Sequence, residues 1–285
     1  MTQNQKSRSE QKSRLDIIGD RQKLYELNFT ASHLMPGLPV MARLDGRAFH
    51  TFTRGLARPY CEPLSRLMVD TAKYLVEQTH CAVAYTQSDE ITLAWRPAAG
   101  ESEMMFNGRV QKLVSVLAAL ATGFFNKNLA SRLPQKAHLC PAFDARVWQL
   151  PNLELAAENF YWREADATKN AVTMAASAYY SHRELHKVGS AAKHDMLMAK
   201  GVNFNDYPAF FKRGTYVQRR AMMRELSAQE LARIPEGRRP EGPVLRSVIQ
   251  ELDLPPFAKL SNPVEVLFEA ASPVMNSPTP QLAAA

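Results

Sequence analysis

The feature that most constrains this chain is a pair of acids about 40 positions apart, each closing a short apolar run. Asp45, in Arg43-Leu44-Asp45-Gly46-Arg47, follows Val40-Met41-Ala42; Asp89, in Gln87-Ser88-Asp89-Glu90, follows Ala82-Val83-Ala84-Tyr85. Runs this short, bounded by turn residues, read as strands, so each carboxylate emerges where a strand stops. Either acid alone is an ordinary turn residue. Side by side they make a site for a divalent ion. Magnesium takes oxygen ligands in near-octahedral geometry and is usually held by one or two carboxylates plus the phosphates of a substrate. Gly46, directly after the first acid, lets backbone approach those phosphates closely.

The order of elements decides whether the acids meet. Residues 62–78 place Leu64, Leu67, Met68, Ala72 and Leu75 at helical spacing. Strands are expected at 81–86 and 91–95, joined by a tight turn with Asp89 at its tip. A second helix is expected from Phe106 to Asn126, and a fourth strand over 143–150. The result is βαββαβ, an α/β (α+β) ferredoxin-like arrangement that also forms the palm of many polymerases. In it the first and third strands are antiparallel neighbours, so Asp45 comes to lie beside Asp89. Glu90 is expected to face away, since successive strand residues point to opposite faces.

The palm is expected to span residues 16–150. Before it, residues 1–15 carry Lys6, Arg8, Lys12 and Arg14 among Ser and Gln, the composition of a disordered basic arm. A short helix follows over 17–24 with Asp20 as its N-cap. Residues 151–233 read as a helical region with one returning strand at 215–218. Here Arg163, Lys169, Lys187 and Lys193 are interleaved with Tyr161, Trp162, Tyr179 and Tyr180, a mixture that suits RNA phosphates and unpaired bases or, more plainly, a solvated face over an aromatic core. Residues 234–285 read as a linker, a C-terminal β-hairpin formed by 244–254 and 264–268, and a Pro/Ala-rich disordered tail.

Composition sets outer limits. At 285 residues and 46% hydrophobic the chain has a sizeable globular core. No apolar run reaches 18 residues and the first 20 are polar, so a cytoplasmic protein without membrane insertion is expected. Cys61, Cys81 and Cys140 form no Cys-x-x-Cys pair and are expected to be buried small hydrophobes. The net charge of +7 favours an anionic partner.

Five segments in order, Arg43-Leu44-Asp45-Gly46-Arg47-Ala48-Phe49-His50, Gln87-Ser88-Asp89-Glu90, Phe143-Asp144-Ala145-Arg146, Trp162-Arg163-Glu164-Ala165-Asp166 and Lys212-Arg213-Gly214-Thr215, resemble the tRNA(His) guanylyltransferase family and its 3′-to-5′ polymerase relatives. The resemblance runs from about Gly19 to Val217. It implies a palm that adds nucleotides to the 5′ end of tRNA after ATP or GTP has activated that end. It also implies two Mg²⁺ ions on Asp45, Asp89 and the Gly46 carbonyl, with the amides of Arg47, Ala48 and Phe49 around a triphosphate. Ser88 and His50 match family residues beside the nucleotide, and Arg58, Arg109, Lys112 and Lys212 fall where the family places cations near its triphosphates. A homotetramer is suggested.

The chain also departs from the family. Thr168-Lys169-Asn170-Ala171-Val172-Thr173-Met174 stands where strict tRNA(His) enzymes carry His-Ile-Asn-Asn-Leu-Tyr-Asn, Arg58 replaces a usual Lys, and Ala145 a usual Gly. These departures point toward relatives that repair truncated tRNA 5′ ends against a template. The rival readings are the strict guanylyltransferase, a nucleotide cyclase or small-molecule nucleotidyltransferase on a similar palm, and a catalytically idle RNA-binding protein.

Overall fold

The computed structural model describes residues 13–97 and 104–276. Six strands form one antiparallel sheet in the order β4-β1-β3-β2-β5-β6: β1 (Val40–Gly46), β2 (Val83–Gln87), β3 (Glu90–Trp95), β4 (Phe143–Gln149), β5 (Thr215–Arg224) and β6 (Val244–Leu252). The first four carry the expected βαββαβ order, with β1 between β4 and β3.

Alternation along the strands sorts side chains between two cores. Ala42, Leu44, Ile91 and Leu93 point to one face, where they meet α3 (Glu62–Thr79) and α4 (Val110–Arg132). Pro63 sits in the first turn of α3, where its missing N–H costs nothing, and Leu67, Met68, Thr71, Ala72, Leu75, Val76 and Thr79 form its buried stripe. In α4 the stripe is Leu113, Leu117, Ala121, Phe125 and Leu129. Among the described residues α4 is the one helix long and apolar enough by composition to cross a membrane, but this stripe is packed into the palm core. The helix starts at Val110 and not at Phe106 because Phe106 and Asn107 hold left-handed backbone (φ 56° and 53°).

Met41, Val83, Tyr85 and Ala94 point to the other face, covered by α5 (Leu153–Ala176) and by the C-terminal segment. Ala156 and Ala157 bring α5 close to the sheet, and Ala171, Ala175 and Ala176 continue into a third cluster with α7 (Ser190–Ala199) and α8 (Ala209–Arg213). Shorter helices are α2 (Phe49–Phe52), α6 (His182–Leu185) and α9 (Ala228–Ala232).

Several expectations are corrected. The first helix, α1, spans Arg14–Thr30 and starts at Ser13, not Asp20. Ser13 Oγ accepts from the Asp16 amide (3.2 Å) while the Asp16 carboxylate accepts from the Ser13 amide (3.0 Å), a reciprocal cap that leaves Asp20 inside the helix. The C-terminal hairpin is built differently. β6 pairs along its whole length with β5, and residues 264–268, expected as its partner strand, form helix α10 (Pro263–Phe268). Asn262 precedes Pro263 at the first helical position, and Val266, Leu267 and Phe268 are buried on the sheet. The buried Gln218 side chain donates to the carbonyls of Val266 (3.2 Å) and Leu267 (2.7 Å), anchoring α10 on β5. The basic arm lies outside the described residues except for 13–15, and the expected disordered tail does so from 277 onward.

The cysteines are not all buried: Cys81 is, Cys61 is partly covered and Cys140 is exposed. Burial pushes the Cys81 thiol up to about 12, so it is neutral and unreactive near pH 8, whereas Cys140 is open to reagent. Titration of native protein with an aromatic disulfide at pH 8 should therefore label Cys140 within seconds. Cys81 should react only after denaturant is added, and its labelling in the native state would contradict this packing.

Candidate active site

Asp45 is the penultimate residue of β1, and its register partners are Glu90 on β3 and Asp144 on β4. Asp89 stands in the β2–β3 turn, which Ser88 makes tight by taking left-handed backbone (φ 50°). The Gly46 amide donates to the Asp89 carbonyl at 3.0 Å, so one backbone hydrogen bond clasps the two acidic segments together. Burial pushes the Asp89 carboxyl above its ordinary range, and the nearby Asp45 charge pushes the same way, against Ser88 and His50. Two carboxylates in one partly desolvated corner repel each other, and a divalent cation relieves that repulsion.

The donor set fits such an ion. A Cβ on Gly46 would come within 2.7 Å of three atoms of the Phe49 ring, so only glycine allows this turn with its backbone beside both acids. Among the described residues no three His, Cys, Asp or Glu side chains converge as a metal cluster. A site of two carboxylates and a carbonyl would be completed by substrate oxygens.

A cavity of about 760 Å³ opens beside Asp89, between the palm and α5. His50, Arg58, Ser88 and Asp89 line it. Ala48 is left-handed (φ 57°) and caps α2, so the amides of Ala48, Phe49 and His50 open a helix with no intrahelical acceptor. The Arg47 amide is not available to a triphosphate, because it donates to the Ala142 carbonyl at 2.9 Å. Three of the expected phosphate cations lie outside the cavity lining. Arg109 caps α4, Lys112 lies over the Phe106 ring at 4.9 Å, and Lys212 donates to the Asn205 carbonyl.

Glu90 does not face away from the acids. It is the cross-strand partner of Asp45, and directly paired residues share a face. The expectation counted alternation from Asp89, which lies in the turn and not on the strand. Glu90 points toward α5, where Arg163 grips it with Nε at 2.8 Å and Nη2 at 2.7 Å, and Arg163 Nη1 reaches Asp166 at 3.2 Å. Arg163 is therefore not an RNA contact: its side chain is 8% exposed and spent on this ion pair. Of the other cations assigned to RNA, Lys169 and Lys187 are exposed, while Lys193 donates to Thr173 Oγ1 at 3.0 Å. The Glu90–Arg163 pair was missed in the sequence, although the Asp45–Glu90 pairing that sets it follows from the strand register.

A buried ion pair is costly to break from one side, because the remaining charge is left without a partner. Arg163→Met should destabilise the protein by about 3–5 kcal/mol in urea unfolding. Adding Glu90→Gln should recover part of that loss; a double variant no more stable than the single one would show that the two residues are not coupled.

Comparison with known proteins agrees with this geometry. A family model described as Thg1, tRNAHis guanylyltransferase, matches residues 19–151. The tRNA(His) guanylyltransferase of Schizosaccharomyces pombe is 26% identical over 233 residues, covering 77% of this chain and 85% of that protein. The Saccharomyces cerevisiae enzyme is 28% identical over 206 residues, 66% of this chain and 85% of its own length. A bacterial tRNA(His) guanylyltransferase (Thg1)-like protein, solved in complex with ATP, superposes with a TM-score of 0.73 at 31% identity, covering 88% of this chain and 98% of that one. With the palm order, the clasped acids and this likeness along most of both chains, the protein belongs to the tRNA(His) guanylyltransferase family of nucleotidyltransferases.

Proposed function

We propose that this protein adds nucleotides in the 3′-to-5′ direction to tRNA 5′ ends and that it repairs truncated ends against a template. The observation that carries the reading is the Gly46–Asp89 backbone bond, which ties the end of β1, where Asp45 stands, to the turn whose Asp89 lines the cavity. Solved relatives hold ATP in one case and GTP in another, which supports nucleoside triphosphates as co-substrates here.

Asp45, Asp89 and the Gly46 carbonyl would hold Mg²⁺, which when bound neutralises phosphate charge and orients the reacting oxygens. The residues themselves supply placement. Arg58 sets a cation on the cavity wall, and His50 and Ser88 flank Asp89 there. In the first step the tRNA 5′-phosphate displaces pyrophosphate from the activating nucleotide. In the second, the 3′-hydroxyl of the incoming nucleotide attacks the activated 5′-phosphorus and releases the nucleoside monophosphate. Both are phosphoryl transfers, in which positioning and charge stabilisation do most of the catalysis.

Template dependence is supported by α5. Asn170, Ala171, Thr173 and Met174, from the stretch that departs from the strict enzymes, line the same cavity as Asp89. Rejecting wrong partners strongly needs polar groups that would be left unpaired, and Ala171 and Met174 have none to leave. Selection then passes to pairing between the incoming nucleotide and the 3′ strand of the acceptor stem. The exposed basic side chains Lys169, Arg183 and Lys187 on the helical region suit the tRNA backbone.

One assay tests chemistry and selection together. Asp45→Ala and Asp89→Ala should each reduce nucleotide addition by about 1,000-fold or more while tRNA binding stays within about threefold. Wild-type protein should restore the complementary first nucleotide to several truncated tRNAs at comparable rates. A 100-fold preference for full-length tRNA(His), lost when its anticodon is changed, would identify the strict guanylyltransferase instead.

We further propose the homotetramer that the family resemblance suggests; self-association itself is supported by α1, which has no buried residue and exposes Leu15, Ile17, Leu24, Tyr25, Leu27 and Phe29, each more than half accessible. A second copy offers the same apolar face to cover it. Sedimentation should give a tetramer for the wild type and a smaller species for Leu24→Glu/Phe29→Glu; a wild-type monomer would refute the assignment.

A further inference from the structure

The cavity beside Asp89 has two kinds of wall. Around the β2–β3 turn it is polar, with His50, Gln87, Ser88 and Asp89. Where residues 56–61 approach α8 it is apolar and aromatic, with Leu56, Tyr60, Leu64, Met174, Phe210 and Phe211. Tyr60 is the centre of that second wall. Its ring lies 5.0 Å from Phe211, tilted at 36°, and 5.2 Å from Phe210, edge-on at 88°. Tyr207 closes the cluster edge-on to Tyr60 at 6.2 Å. Phe211 is buried behind, while Tyr60 and Phe210 are only partly covered and so keep surface for a ligand.

The polar side chains that α5 brings to this cavity are already engaged. Thr173 Oγ1 donates to the Lys169 carbonyl (3.0 Å) and accepts from Lys193 Nζ (3.0 Å). Ser177 Oγ donates to the Thr173 carbonyl at 2.8 Å, and the Asn170 amide group donates to Asp166 at 3.4 Å. The helix that walls one side of the cavity thus offers little for reading the edge of a base. A volume of about 760 Å³ lies within the range of small-molecule and cofactor sites, and is larger than the phosphates alone require.

We propose that Tyr60, backed by Phe210 and Phe211, holds the base of the activating nucleoside triphosphate by stacking, and that the site accepts any base because it reads the ring face and not the edge. This rests on the reading of Asp89, with Asp45 held beside it, as the phosphate and metal end of the cavity. Stacking on an aromatic side chain is tolerant of base identity because every base has a π-face. A site that hydrogen-bonded the edge would instead discriminate by several orders of magnitude. Selection by template pairing applies to the incoming nucleotide and leaves the activating nucleotide unselected, so tolerance here costs no fidelity.

The test is equilibrium binding to the full chain with Mg²⁺ and no tRNA, by competition against a fluorescent ATP analogue. The competitors are ATP, GTP, CTP, UTP and inorganic tripolyphosphate. The four nucleotides should fall within about tenfold of one another. Tyr60→Leu, which keeps an apolar side chain, should weaken all four by about 5- to 100-fold and leave tripolyphosphate unchanged. Phe210→Leu should act in the same direction, and Tyr60→Phe should bind as the wild type. A 100-fold preference for one base would overturn the proposal, as would equal loss of tripolyphosphate binding or an inert Tyr60→Leu. Asp45→Asn/Asp89→Asn separates the two readings. Undiminished tripolyphosphate binding by that variant would refute the phosphate end, while base-independent loss in Tyr60→Leu would still uphold the stacking wall.

Discussion

Everything at the catalytic corner depends on antiparallel pairing of β1 with β3. The pairing sets Asp45 opposite Glu90, and the last bond of the ladder, from the Gly46 amide to the Asp89 carbonyl, holds the turn carrying Asp89 against the end of β1. Neither acid could be kept near the other by side-chain contacts alone, since like charges separate unless the backbone prevents it. The repulsion is contained by the sheet, which holds both charges in one corner. Gly46 is the point of least tolerance, because its Cα faces the Phe49 ring and no side chain fits between them.

The second constraint is the way α5 is fastened. Arg163 meets Glu90 on β3, and the next residue, Glu164, accepts the Phe257 amide at 2.8 Å. Two adjacent side chains thereby tie one helical turn to the palm and to the C-terminal segment. Glu90 is thus committed to a structural pair although it neighbours Asp89 in sequence and Asp45 in space. The same fastening fixes Asn170, Thr173 and Met174 on the cavity wall, so a segment distant in sequence from both acids shares their site.

The βαββαβ order, the α3 stripe and the ends of β1 and β4 were legible because periodicity and short apolar runs are local signals. Boundaries failed where a local signal was overridden. Phe106 continues the apolar period of α4 but takes left-handed backbone, and Asp20 has a cap's chemistry although Ser13 and Asp16 open the helix about two turns earlier. Residues 264–268 alternate like a strand, yet β5 supplies the partner that β6 needs, which frees that segment to pack as a helix. The five family segments pointed to Asp45 and Asp89, but not to where the cations around them would go. Arg163 and Lys212 carry charge in the sequence whether they face solvent, a phosphate or a buried carboxylate.

The sequence by itself determined the palm order, the two acids and the glycine between strand and helix, because each follows from hydrophobic period, turn chemistry and steric need within a few residues. Only the tertiary structure decided that Glu90 belongs to Arg163, that Arg47 spends its amide on Ala142, and that Tyr60, Phe210 and Phe211 face the same cavity as Asp89. Those groupings join residues from about 30 to 150 positions apart, and what brings such residues together is the register of a sheet and the packing of helices on it, which no local pattern encodes.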